Sequence, residues 1–159
     1  MLEGKNIVTI YSGEYYISSD PHVAIYTLLG SCVAVCLYDQ ITGIGGMNHF
    51  MLPQAQKDQI LEYGRYGLQS IEIMIEKLLY QGAVYQNLKA KIFGGSNMVN
   101  LNYRENDIAR SNIRFTLKYL ESKEIPIIAK GLGGTFGRKI YFVLEDYSVY
   151  VQRLNREEK

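Results

Sequence analysis

The chain has 159 residues, 47% of them hydrophobic, with seventeen basic and sixteen acidic side chains for a formal net charge of +1. That length and apolar content suit one self-sufficient domain rather than a disordered chain. The near-neutral balance gives no electrostatic reason to expect nucleic acid or an anionic membrane as the main partner.

The elements follow in chain order. "NIVTIY" (Asn6–Tyr11) and "GEYYISS" read as β-branched and aromatic strands separated by a Ser-Gly turn. "SDPH" (Ser19–His22) reads as a loop, because Pro21 disfavours helix at the residue before it. "CVAVCLYD" (Cys32–Asp39) reads as a buried strand. "DQITG" is a turn, and "IGGMNHFML" (Ile44–Leu52) an antiparallel partner that ends at Pro53. A helix is expected over Glu62–Gln81, with Leu68, Ile71, Met74, Ile75, Leu78 and Leu79 on its apolar stripe and Gly82 as its cap. "AKIFGG" (Ala90–Gly95) is a strand with a glycine turn. A second helix is expected over Asn106–Lys123, with Ile113, Leu117 and Leu120 on one face. "IPIIAK" is a strand, and "KIYFVLED" with "SVYVQRL" forms a closing hairpin. The glycines of "GLGGTFGRK" (Gly131–Lys139) miss both phosphate-loop spacings, so they read as a turn into that hairpin. Strands outnumber helices without regular βαβ alternation. The expected fold class is α+β, sheets with two main helices packed on them, in a single domain over 1–154 with a charged tail over 155–159. The fourteen tyrosines read as half-buried sheet residues with wet hydroxyls. The N-terminus shows no signal-peptide pattern and no run is long enough to span a membrane, so a cytoplasmic location is expected.

Both cysteines lie in "LLGSCVAVCLYD" (Leu28–Asp39). In a strand, Cys32 and Cys36 share a face about 13 Å apart. That is too far for a disulfide, which needs Cα atoms within about 7 Å. It is also too far for one zinc, and only His22 and His49 could complete a metal site. No metal or organic cofactor is therefore expected. Cys36, mid-strand among apolar neighbours, reads as a small hydrophobe. Cys32 follows Gly30-Ser31 where a turn becomes a strand, which offers access and free backbone N–H groups. His49 lies on the strand expected to pair with the cysteine strand. With "DQITG" as the central turn, the partner of Cys32 falls near Gly46–His49. An imidazole there could take the thiol proton.

"LLGSCVAVCLYD" followed by "GGMNHFMLP" resembles the CheD family of chemoreceptor glutamine deamidases. The resemblance continues through "YGRYGLQSIEIMIEKLLYQGA", "KIFGGSNM" and "IPIIAKGLGGTFGRKIYF". It implies a fold like that of deamidating toxins. It also implies hydrolysis of receptor glutamine side chains to glutamate and ammonia, with receptor methyl esters as further substrates of some members. By motif position it makes Cys32 the nucleophile and His49 the general base, with Thr27 as a polar third residue and Tyr26 as the alternative. Tyr26 and Thr27 point to opposite faces of a regular strand, so only one can meet His49. The implied partners are chemoreceptor cytoplasmic helices and a CheC-type phosphatase, and the alternative function is a non-catalytic regulator that binds such a phosphatase. Two departures from the family pattern, Ser111 in "IARSN" and Gly131 in "KGLGG", are expected to lie away from the nucleophile.

Overall fold

The computed structural model describes residues 2–51, 60–97 and 103–154. Its strands are β1 (Asn6–Thr9), β2 (Tyr15–Ser18), β3 (Val23–Leu29), β4 (Val33–Asp39), β5 (Ile44–Asn48), β6 (Leu88–Gly94), β7 (Ile127–Leu132), β8 (Gly137–Val143) and β9 (Val149–Leu154). The helices are α1 (Ile60–Tyr80) and α2 (Tyr103–Ser122). The strands form two sheets, one in the order β1-β3-β8-β9 and the other β2-β5-β4-β6-β7.

The result is an α+β fold in three layers. One apolar cluster fills the space between the sheets, from Ile25, Leu29, Ala34, Cys36, Met47, Ile140 and Phe142 among others. A second lies between the larger sheet and the helices and includes Val33, Val35, Leu37, Phe50, Met74, Leu78 and Leu120. β4 serves both. Its odd-numbered side chains face the helices and its even-numbered ones the other sheet, so every residue of the strand is buried. That is why "VAVCL" is an unbroken apolar run rather than an alternating one.

The antiparallel β4–β5 hairpin forms as expected, with Asp39 opposite Ile44 around a four-residue turn, but β5 ends at Asn48; Leu52 and Pro53 lie outside the described residues. Asp39 closes it: the buried carboxylate accepts from Ile41 N (2.9 Å), Thr42 N (3.2 Å), Val84 N (2.8 Å) and Asn87 Nδ2 (3.3 Å). Burial pushes its pKa up, but these bonds outweigh that and hold it at about 2. β6, α2 and β7 form one βαβ unit with parallel strands, which the strand-rich pattern did not announce. β3, the strand that brings Thr27 inward, pairs parallel with β1 and antiparallel with β8.

On α1, Ile71, Met74, Ile75 and Leu78 are buried as expected, whereas Leu79 is on the rim, 38% exposed. The Leu68 side chain lies outside the described residues, as does the tail 155–159. Gly82 caps α1 with φ +112°. On α2, Leu120 is buried but Ile113 and Leu117 are only half-buried. Ala109, Asn112, Thr116 and Tyr119 complete the inward face. No helix among the described residues is long and apolar enough to cross a membrane.

Candidate active site

The turn Gly30-Ser31-Cys32 links β3 of one sheet to β4 of the other, so it sits at one end of the sandwich. Its three successive carbonyls are pinned from outside. Gly30 O accepts from Ser96 N (2.9 Å), Ser31 O from Asn112 Nδ2 (2.9 Å) and Cys32 O from Gly95 N (2.8 Å). In a planar trans peptide the N–H points opposite to the C=O. Pinning the Gly30 and Ser31 carbonyls therefore turns the N–H groups of Ser31 and Cys32 away from α2 and β6. The Cys32 N–H lies beside its own sulfur. The close approach of β6 depends on Gly94, whose φ is +113° and where a side chain would run into the Cys32 carbonyl oxygen.

His49 follows β5 at a point where the β4–β5 ladder is interrupted. Val35 N bonds to the side-chain Oδ1 of Asn48 (2.9 Å), and Asn48 Nδ2 reaches Ser70 Oγ on α1 (3.0 Å). The backbone of His49 instead engages the β1–β2 turn, with His49 N on Glu14 O (3.0 Å) and Gly13 N on His49 O (2.8 Å). Pairing with β4 resumes at Val33 and Phe50. This register sets Ala34 opposite His49 and places Met51, not Gly46–His49, opposite Cys32. Counted outward from the Asp39–Ile44 pair, seven residues back reaches Cys32 and seven forward reaches Met51. Cys32 and His49 are thus diagonal neighbours on one face of the ladder, a relation with a typical Cα separation of about 7–8 Å.

Thr27 is the residue that turns toward His49. Its Oγ1 is 2.7 Å from His49 Nδ1 and 2.7 Å from Ile10 O, and Thr27 is fully buried. Tyr26 faces the other side, tilted against Tyr141 with ring centroids 4.8 Å apart. One hydroxyl carries one hydrogen, and the Ile10 carbonyl can only accept. The Thr27 hydroxyl therefore donates to Ile10 and accepts from His49 Nδ1–H. That bond assigns the tautomer: Nδ1 holds the proton and Nε2 keeps its lone pair. Among the described residues, Nε2 is buried without a hydrogen-bond partner. Burial also disfavours the imidazolium and holds the His49 pKa down at about 4.

Cys32 is partly exposed, and both cysteines are free thiols. Burial pushes the Cys32 thiol up, while a hydrogen bond from the Ser12 side chain and its own backbone N–H work in the opposite direction. Cys36 is fully buried between the sheets, where desolvation raises its pKa further still. The resting arrangement at neutral pH is thus a thiol and a neutral imidazole whose free nitrogen has no partner among the described residues.

Three neighbours of this site escaped sequence reasoning: Ser12 on the β1–β2 turn, Asn48 beside the histidine, and Asn112 on α2. Each is a single polar residue on a separate element, with no spacing to flag it. Asn112 also corrects one expectation. It ends the "IARSN" stretch, which was expected to lie away from Cys32 but bonds to the Gly30–Cys32 turn. The "KGLGG" turn is near as well, with Gly133 N on Gly94 O (3.0 Å).

Residues 51–153 match the family model described as CheD chemotactic sensory transduction. The chain is 40% identical over 162 aligned residues to the Geobacter sulfurreducens protein named probable chemoreceptor glutamine deamidase CheD 1, covering 96% of this chain and 80% of that one. It is 42% identical to the corresponding protein of Agrobacterium fabrum, covering 85% and 73%. It is 43% identical to a Shewanella oneidensis relative named probable chemoreceptor glutamine deamidase CheD 2, covering 92% and 76%. Among solved structures, a Neisseria meningitidis protein of the DUF152 family superposes with a TM-score of 0.55 at 9% identity, over 83% of this chain and 65% of that one, a likeness of fold alone. By its sequence matches over most of its length, the chain belongs to the CheD family.

Proposed function

We propose that this protein is a chemoreceptor glutamine deamidase in which Cys32 is the nucleophile, His49 the general base and Thr27 the residue that orients it. The observation that carries the reading is the Thr27–His49 bond, which leaves a buried Nε2, unpartnered among the described residues, diagonal to the Cys32 thiol. The names of the relatives, glutamine deamidases acting on chemoreceptors, supply the substrate class.

The chemistry follows from the atoms present. His49 Nε2 takes the Cys32 proton as sulfur attacks the glutamine Cδ, and the carbonyl oxygen becomes an oxyanion. The N–H groups of Cys32 and Ser31, turned outward by their pinned carbonyls, are the donors for it. Collapse breaks the C–N bond, and His49 returns its proton to the departing ammonia. Water, deprotonated by His49, then attacks the thioester. Cysteine leaves as the thiol and the substrate as glutamate. Because burial disfavours both the thiolate and the imidazolium, proton transfer goes with attack rather than preceding it as a stable ion pair. Losing one oxyanion donor costs on the order of 10²–10³ in rate.

The test is deamidation of receptor cytoplasmic fragments, read by mass and by ammonia release, with wild type, Cys32→Ala, His49→Ala and Cys36→Ala. Loss in the first two variants and retention in Cys36→Ala is the expected result. Full activity in Cys32→Ala removes the mechanism. A regulator acting only by binding a CheC-type phosphatase would co-purify with it and leave the fragments unchanged.

A further inference from the structure

The arginine of the "GLGGTFGRK" turn does work that turn chemistry does not explain. Arg138 on β8 is 5% exposed. Of its five N–H donors, only Nη1 has a hydrogen-bond partner among the described residues, Ser96 Oγ at 2.6 Å. Directly opposite on β9 stands Arg153, which is exposed. Both guanidinium carbons lie 4.5 Å from the centroid of the Phe136 ring. Neither guanidinium has a carboxylate within 4.0 Å among the described residues.

That arrangement is costly in isolation. Like charges facing each other across a ladder destabilise it, and a buried arginine is rarely left without an anion. Stacking on Phe136 offsets part of the cost by cation–π attraction. Burial and the charge of Arg153 both work against the Arg138 cation. A pair of cations held this way is ready for an anion that the described residues do not supply.

Its position says which anion. Ser96, which Arg138 holds, donates its backbone N–H to Gly30 O, two residues before Cys32. In the larger sheet β4 lies between β5 and β6, so His49 flanks the nucleophile turn on one side and Gly95-Ser96 flanks it on the other. The arginine pair lies beyond Ser96. A helix laid across the turn with a glutamine at Cys32 would carry residues one turn away toward this pair.

We propose that Arg153, backed by the buried Arg138, binds a carboxylate side chain of the substrate helix one turn from the target glutamine. The enzyme then selects glutamines with an acidic neighbour on that side. This inference rests on the deamidase reading of the site.

The experiment uses the full chain and receptor fragments whose residue three or four positions from the target glutamine, on either side, is Glu, Gln or Lys. Wild type favours Glu over Lys on one side. Arg153→Gln lowers that ratio of kcat/KM by roughly fivefold, and Arg153→Glu inverts it. Raising salt flattens the wild-type preference. An unchanged ratio in both variants, or no preference in wild type, overturns the proposal. The same fragments are also titrated against Cys32→Ala protein, which reads the charge preference from binding alone. Binding preference without turnover by wild type would fault the deamidase reading and leave the arginine site standing. Turnover without preference would do the reverse.

Discussion

Replacing His49 by Asn removes a titrating group while leaving an amide N–H near the place of Nδ1, able to donate to Thr27. The folded protein holds His49 at a pKa of about 4 because the ring is only 6% exposed. An unfolded chain holds it near its ordinary value of 6.5. The sign follows from proton uptake. Between pH 6.5 and 4 the unfolded state binds a proton that the folded state refuses, so falling pH favours unfolding. The stability associated with a neutral His49 is complete above pH 6.5, declines by about 1.4 kcal/mol per unit through that window, and levels off below 4. The whole loss is about 3 kcal/mol, a large share of the 5–15 kcal/mol of a typical domain. Urea melts of wild type and His49→Asn at pH 7.5, 6.5, 5.5 and 4.5 give the difference directly, because every other group cancels. The gap between them should shift against wild type by roughly 1 kcal/mol or more for each unit below 6.5. A constant gap across the series would refute the buried neutral imidazole. So would an NMR titration of folded wild type in which His49 protonates near 6.5.

Thr27→Val keeps shape but leaves Nδ1–H without an acceptor. It should lower kcat by about 10–10² with KM little changed, and move the ring proton toward Nε2 in nitrogen NMR spectra, while Thr27→Ser restores both. Ser12→Ala removes a donor to the Cys32 sulfur, so the pH profile of iodoacetamide alkylation at Cys32 should move upward, with Ser12→Thr restoring it. Asp39→Asn should lower stability at neutral pH. Its loss should also remove part of the acid sensitivity below pH 3.8, since the Asp39 contribution is present above that value and lost as pH falls toward 2; urea melts at pH 2–5 check it.

The parts of the fold that could be read from sequence are those whose signal is local. The β4–β5 hairpin has a short turn between two apolar runs, and α1 has a stripe ending at Gly82. Strand spacing also set the two thiols apart, and Cys36 is core, as expected. β3 was harder to locate. Its partners are β1 and the distant β8, and nothing in "VAIYTLL" announces either. The choice between Tyr26 and Thr27 needed the identity of the face turned inward, which only the packing of the two sheets decides. The register opposite Cys32 was misplaced by several residues: even with all five residues of "DQITG" in the turn Cys32 falls opposite Phe50, and the pairing of Asp39 with Ile44 moves it one further, to Met51. Asn112 and Ser12 illustrate a general limit. A tether made by one side chain to one backbone atom leaves no pattern in the chain, however much it restrains the site.

The three anchored carbonyls of the Gly30–Cys32 turn mean that the motif is not portable. Copying Leu28–Asp39 with its histidine strand into another scaffold would transfer the thiol and the imidazole. It would leave behind the β6 loop and the α2 asparagine that decide where the turn's amide hydrogens point. Such a graft should alkylate as a cysteine and fail as a hydrolase.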